Sequence, residues 1–141
     1  MPIKTFRGLM TSNTQDIVSL HTNDGTIGYR IVKFQIMPYN FNESDEYTVQ
    51  IWKTDQTGSI DNVQDFSNNR LLGVAYFGTD GADLVNDSTV IFDSEKFNQD
   101  IYITAKSQTG KAINYYIELE AIKLDLNENT VATLKDIRNL A

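Results

Sequence analysis

The sequence predicts an all-β protein, an antiparallel β-sandwich of about eight strands in a jelly-roll-like arrangement with a short C-terminal helix or arm. Short runs of alternating apolar and polar residues recur along the chain, and polar turns separate them. Eight strands joined by long crossing loops favour a pair of packed sheets over a simple barrel. We therefore expect a sandwich domain over residues 1–124 and a helix or arm over 125–141.

The N-terminal third contains three predicted strands. The first covers residues 3–10, and the second, over 16–21, follows a polar turn and is expected to pair back on the first. The third covers residues 28–37, and both of its faces are apolar near its start, which predicts a central strand. Pro38 is expected to end it, because proline cannot donate to a strand ladder.

The middle of the chain contains strands separated by two polar loops. Residues 46–53 alternate, with Tyr47, Val49 and Ile51 on one face. Residues 54–70 form a long irregular stretch, and loops of this length are often functional. Residues 71–77 are a continuous apolar run typical of a buried strand, residues 79–88 are the second polar loop, and residues 89–92 are a short strand.

The clearest strand pattern lies within residues 100–123, which predict a β-hairpin around the turn at 107–110. One face of the second arm carries alternating apolar residues, which predicts burial in a core. These are Ile113, Tyr115, Ile117, Leu119 and Ala121. The opposite face carries Asn114, Tyr116, Glu118 and Glu120.

The C-terminal segment 130–140 has apolar residues spaced by three, which favours a short helix. A strand over 130–134 is the alternative, because Thr and Val favour strands. Either way the apolar edge must be buried, on its own domain or on a neighbouring subunit. That edge consists of Val131, Leu134, Ile137 and Leu140.

Composition excludes several classes of function. The net charge of −7 argues against a protein that binds the nucleic-acid backbone, which needs a basic face. The acidity is concentrated in residues 40–100, which hold 12 acidic and 3 basic side chains. The absence of cysteine excludes disulfides, thiolate metal sites and a cysteine nucleophile. No apolar run approaches the roughly 18 residues of a membrane span, and the first residues do not resemble a signal peptide.

Few residues are candidates for chemistry. His21 is the single histidine, and Glu118 and Glu120 share one strand face as a glycosidase pair would. The loop that contains Asp80, Asp83, Asn86 and Asp87 offers oxygen ligands for calcium, but its spacing does not match an EF-hand. Each of these groups is more typical of a solvated surface, so we expect no enzyme, no metal and no cofactor.

Several longer segments together resemble the small virion structural proteins of marine tailed bacteriophages of the cyanophage and pelagiphage type. These segments are MPIKTFRG, GYRIVKFQIM, IFDSEKFNQDIYIT, INYYIELEAIKL and NENTVATLKDIRN, and they cover nearly the whole chain. The resemblance implies a component of the virion that is assembled in the cytoplasm of the host bacterium. It supplies no catalytic residues.

The expected function is therefore that of a capsid decoration (cement) protein bound to the outer shell. Its partners would be the major capsid protein or other virion proteins, without nucleic acid or membrane, and it would form a homo-oligomer, with a trimer as the first guess. The alternatives are a tail or neck subunit, and a module that binds host-surface glycans through Trp52, Tyr116 and the 54–70 loop, with Tyr29 as a further aromatic candidate. The expected contact residues are Ile3, Phe6, Arg7, Val131, Leu134, Ile137 and Leu140.

Overall fold

The computed structural model describes residues 2–20, 26–40, 42, 45–79, 86–125 and 133–134. These residues contain eight β-strands. They are β1 (Ile3–Met10), β2 (Thr14–Val18), β3 (Ile27–Pro38), β4 (Glu46–Trp52), β5 (Leu71–Thr79), β6 (Asn86–Phe92), β7 (Ile101–Ser107) and β8 (Ile113–Lys123).

The strands form two antiparallel sheets that pack face to face. The small sheet has the order β1-β8-β3 and the large sheet has the order β2-β7-β4-β5-β6. The inner faces of both sheets supply a single hydrophobic core, in which Val49, Ile103, Ile117 and Leu119 are fully buried. The predicted all-β sandwich with eight strands is therefore confirmed.

The strand order is that of a jelly roll with one strand displaced. A chain folded as one long hairpin around the β4–β5 connection would pair β4 with β5, β3 with β6, β2 with β7 and β1 with β8. Three of these four ladders are present. β6 instead extends the large sheet beside β5, and Phe97 then makes a single antiparallel bridge to Tyr29 of β3. The two residues exchange backbone hydrogen bonds of 2.7 and 2.9 Å.

Two predicted strand pairings are wrong. β2 pairs with β7 and not with β1, which pairs with β8. The hairpin predicted over 100–123 is an arch, because β7 lies in the large sheet and β8 in the small sheet. Both arms carry apolar inner faces, and these faces point toward each other across the sandwich.

Asp45 fixes this arch. Its carboxylate accepts hydrogen bonds from the Thr109 hydroxyl (2.9 Å) and from the backbone N–H groups of Thr109 (3.2 Å) and Glu46 (2.8 Å). Burial alone would raise the pKa of Asp45, but these hydrogen bonds outweigh it and hold the pKa below its ordinary value. The carboxylate therefore ties the start of β4 to the turn that leads from one sheet to the other.

The prediction that residues 28–37 form a central strand is also wrong, because β3 lies at one end of the small-sheet order. Between two successive residue pairs, β3 advances by two residues, from Ile31 to Lys33, while β8 advances by one. Val32 is therefore the extra residue of a β-bulge. Tyr29 and Ile31 face the core before the bulge, and Phe34 faces it afterwards. The bulge reverses the alternation of inward and outward residues. A prediction that assumes a straight strand therefore assigns apolar residues to both of its faces.

The C-terminal segment is described only at Thr133 and Leu134, which are helical. The Thr133 hydroxyl accepts a hydrogen bond of 2.8 Å from the side-chain amide of Asn98, a fully buried residue of the sandwich. Two residues do not define a helix, and the other residues of the segment 130–140 lie outside the described part of the chain, so the helix stays a prediction. The division into 1–124 and 125–141 stays a prediction.

Tyr115 links the two sheets, and its ionisation lowers the free energy of unfolding at alkaline pH. Its hydroxyl on β8 donates to Asp16 Oδ2 on β2 at 3.1 Å. Burial raises the pKa of Tyr115 above the ordinary value of 10.0, and the charge of Asp16 raises it further. Unfolded Tyr115 therefore loses its proton first, and the stability it contributes is complete below pH 10 and declines above it.

We expect the free energy of unfolding to fall between pH 9 and pH 11 by roughly 1 kcal/mol more in the wild type than in Tyr115→Phe. Urea denaturation at a series of pH values measures this difference. Tyr39→Phe is the matched control, because Tyr39 is exposed and should leave the pH profile unchanged. Equal profiles for the wild type and Tyr115→Phe would contradict the prediction.

Candidate functional site

The outer face of the small sheet carries two of the predicted contact residues, Ile3 and Arg7. β8 lies between β1 and β3, so each outward residue of β8 has a neighbour on both sides. The face consists of four rows, each written in the order β1, β8, β3. They are Leu9, Asn114 and Met37; Arg7, Tyr116 and Gln35; Thr5, Glu118 and Lys33; and Ile3, Glu120 and Arg30.

One end of this face is apolar. Leu9 is 51% exposed and Met37 is 68% exposed, and they flank Asn114 in the same row. Tyr39, which follows β3, is 65% exposed, and its backbone N–H donates to Ala112 O at 3.1 Å. Single exposed apolar residues are common on protein surfaces, but a group of them beside tyrosine and arginine is typical of protein interfaces.

The other end is charged, and neighbouring side chains hold both of its carboxylates. Arg30 Nε lies 3.1 Å from Glu120 Oε1, and the Tyr116 hydroxyl donates to Glu118 Oε2 at 2.7 Å. This hydrogen bond raises the pKa of Tyr116. Lys33 Nζ lies 5.9 Å from the centre of the Tyr116 ring. The two carboxylates considered as a catalytic pair are thus held in surface contacts of the sheet, and the absence of enzyme activity stays a prediction.

The predicted contact residues fall into three groups. Ile3 and Arg7 are exposed on the outer face of the small sheet. Phe6 has the opposite parity in β1 and packs, partly buried, against the core, so it does not belong to this face. Leu134 is exposed. Val131, Ile137 and Leu140 lie outside the described residues.

Leu9, Gln35 and Met37 also lie on this face and are not among the predicted contact residues. The β-bulge in β3 places Arg30, Lys33 and Gln35 on one face, although they do not follow a single alternation. Two cations three residues apart in a strand with apolar neighbours are the signal that could have revealed the bulge, because cations rarely face a core.

The long 54–70 loop folds over the outer face of the large sheet. The Gln50 side-chain amide donates to Val63 O at 3.1 Å and to Gln64 Oε1 at 2.6 Å. Gln15 Oε1 accepts from the backbone N–H of Gln56 at 2.6 Å. Two glutamines on the sheet therefore hold the loop in place.

Trp52 lies beside this loop and is only 8% exposed. It packs with Leu71, Val74 and Tyr102 in a second hydrophobic cluster, and its indole N–H donates to Thr104 Oγ1 at 3.2 Å. Tyr29 is buried in the core. Because Tyr116 lies on the opposite outer face of the sandwich, the proposed patch of Trp52, Tyr29 and Tyr116 is not formed.

The structure does not describe the side chains of the other residues considered for catalysis or metal binding. His21, Asp80 and Asp83 lie outside the described residues, as do the side chains of Asn86 and Asp87. Within the described ranges, no three histidine, aspartate or glutamate side chains come together as a metal site would require. The same ranges contain no helix with the length and apolar character needed to cross a membrane.

A comparison of the chain with protein-family models, curated proteins and solved structures found no match.

We expect Trp52→Ala to destabilise the fold by about 2–4 kcal/mol, because it removes the largest side chain of the cluster that also contains Leu71, just after the 54–70 loop. The matched control is Tyr116→Ala, which removes an aromatic residue from the outer face of the small sheet and should cost less than about 1 kcal/mol. Urea denaturation gives both values, and limited proteolysis should show faster cleavage within 54–70 only for Trp52→Ala. Equal losses in the two variants would mean that Trp52 is not a packing residue.

Proposed function

We propose that this chain is a structural protein of a tailed bacteriophage particle, a capsid decoration protein that binds the outer shell. The observation that carries the proposal is the outer face of the small sheet, where Leu9, Met37 and Tyr39 are exposed beside Arg7 and Tyr116. The resemblance of the sequence segments to virion structural proteins supports it. Jelly-roll sandwiches are also a common architecture of viral capsid proteins.

The two ends of this face would contribute to binding in different ways. Burial of Leu9 and Met37 would stabilise the complex by about 1.5–3 kcal/mol each at most. Arg30, Lys33 and Glu120 at the charged end would fix the orientation, because charged groups at the rim of an interface contribute more to specificity than to affinity. A stable contact should bury on the order of 1,000 Å² or more.

The C-terminal segment is the proposed contact between copies of this chain. Leu134 is exposed, while its neighbour Thr133 is held by Asn98 of the sandwich. A segment anchored at one residue and exposed at the next can reach an adjacent subunit. The proposed assembly is a homo-oligomer, with a trimer as the first assignment.

Copy number in purified particles tests the location. Quantitative mass spectrometry against the major capsid protein should give a copy number in the hundreds for a shell decoration protein, because the shell repeats its lattice positions many times. About six or twelve copies would instead place the chain in the tail or neck, where rings have sixfold symmetry. Its absence from particles would exclude both locations.

A pair of matched variants tests the docking face. Met37→Glu places a charge at the apolar end of the small sheet and should weaken binding to particles that lack the protein by at least about tenfold. Ile17→Glu is the control, because Ile17 is also exposed, at 57%, but lies on the outer face of the large sheet. Co-sedimentation with particles measures both affinities, and urea denaturation checks that both variants fold.

The proposal predicts that Ile17→Glu binds particles as the wild type does. If Ile17→Glu detaches while Met37→Glu stays bound, the docking face is on the large sheet and the proposed orientation is wrong.

A further inference from the structure

A polar cleft of about 250 Å³ lies on the outer face of the large sheet, at the edge of the 54–70 loop. Lys106, Thr48 and Tyr76 occupy one row across β7, β4 and β5 and form its floor. Asn62 and Gln64 of the loop line it from one side. The cleft therefore combines residues that the strand register places together with residues that the loop adds.

Hydrogen bonds hold the loop side of the cleft in position. Gln64 Oε1 accepts from the side-chain amide of Gln50, and Gln64 Nε2 donates to Asn62 O at 2.9 Å. Since Gln50 is buried on β4, the Gln64 amide is fixed relative to the sheet. A site whose polar groups are already held in place loses less conformational entropy when it binds a ligand.

The aromatic side of the cleft depends on a glycine. The Tyr76 side chain runs along β5 over Gly78, so that a Cβ atom at Gly78 would lie 2.5 Å from the Tyr76 hydroxyl oxygen and 3.1 Å from Cζ. The hydroxyl donates to Glu46 Oε1 at 3.2 Å, and Glu46 is the β4 partner of Gly78. Gly78 thus leaves the space in which the ring lies along the strand.

The lining is suited to a neutral ligand rich in hydroxyl groups. Side-chain amides and hydroxyls can both donate and accept hydrogen bonds, as sugar hydroxyls do. One lysine, Lys106, and one glutamate, Glu46, balance each other in charge, which does not favour a phosphate or another multiply charged anion. An aromatic ring beside these groups offers an apolar surface to the C–H face of a sugar ring.

We propose that this cleft binds one neutral hexose unit of a glycan, with Tyr76 stacked on the sugar ring and Asn62, Gln64 and Lys106 bonded to its hydroxyls. This binding site goes beyond a role in decorating the shell and does not depend on it. The cleft and the proposed docking face lie on opposite sheets of the sandwich. A chain bound through the small sheet would therefore present the cleft away from its partner.

The test is a titration of the full-length ¹⁵N-labelled chain, followed by NMR, with glucose, galactose, mannose and N-acetylglucosamine in separate experiments. We expect saturable shifts at the backbone amides of Thr48, Gln64, Tyr76 and Lys106 for at least one sugar, with a dissociation constant in the millimolar range. Tyr76→Ala should weaken that binding at least about tenfold, and Tyr76→Phe, which keeps the ring, should stay within about threefold.

Gly78→Ala tests the geometry without removing any lining side chain. Its added methyl group would overlap the Tyr76 hydroxyl, so the ring has to move. It should weaken sugar binding as Tyr76→Ala does, while Tyr116→Ala on the other sheet should not change it. Absence of saturable shifts with all four sugars, equal binding by Tyr76→Ala and the wild type, or saturation by inorganic phosphate instead would each overturn the proposal. Particle binding by Tyr76→Ala is expected to be normal, so failure of the sugar site and failure of the decoration role can be told apart.

Discussion

β8 is the strand on which the small sheet depends. β1 and β3 are both paired with β8, one on each side, so the three-stranded sheet has no ladder without it. Its alternate residues have two separate roles. Ile117 and Leu119 are fully buried in the shared core, while Tyr116 and Glu118 lie at the centre of the outer face. The same alternation thus stabilises the sandwich and sets the spacing of the proposed docking face.

Local alternation was the part of this fold that could be predicted from sequence. The residues of β4 and β8 that face the shared core follow a period of two, which is a property of each strand by itself. Strand partners are a long-range property. The turn after β7 has the same composition whether it returns the chain to the same sheet or carries it across the core, and Asp45, more than sixty residues earlier in the chain, helps to hold the crossing. A period of two also fails at a bulge, so the reversal at Val32 made an edge strand look central.

The same two limits, long-range pairing and the bulge, decide which residues of the proposed docking face could be predicted from sequence. Ile3 and Arg7 lie in β1, where no bulge interrupts the register, and both are exposed, so they can take part in a contact. Met37 was missed because it follows the bulge in β3. Trp52 faces outward from its sheet, as alternation requires, yet it is buried in a cluster with Leu71, Val74 and Tyr102. Whether an outward residue meets water depends on the side chains that neighbouring strands place beside it, and the periodicity of one strand contains no information about those neighbours.

The two outer faces of the sandwich also differ in charge, and this difference favours one direction of binding. The 54–70 loop, which folds over the large sheet, holds three carboxylates, Asp55, Asp61 and Asp65, against one cation, Arg70. The rows of the small sheet hold three cations, Arg7, Arg30 and Lys33, and two carboxylates, Glu118 and Glu120. A chain with a net charge of −7 therefore has one face that is locally slightly positive. An acidic partner would attract this face and repel the opposite one, because complementary potentials orient proteins before they touch. Orientation by charge would thus act in the same sense as burial of Leu9 and Met37, and both would leave the polar cleft of the large sheet facing solvent.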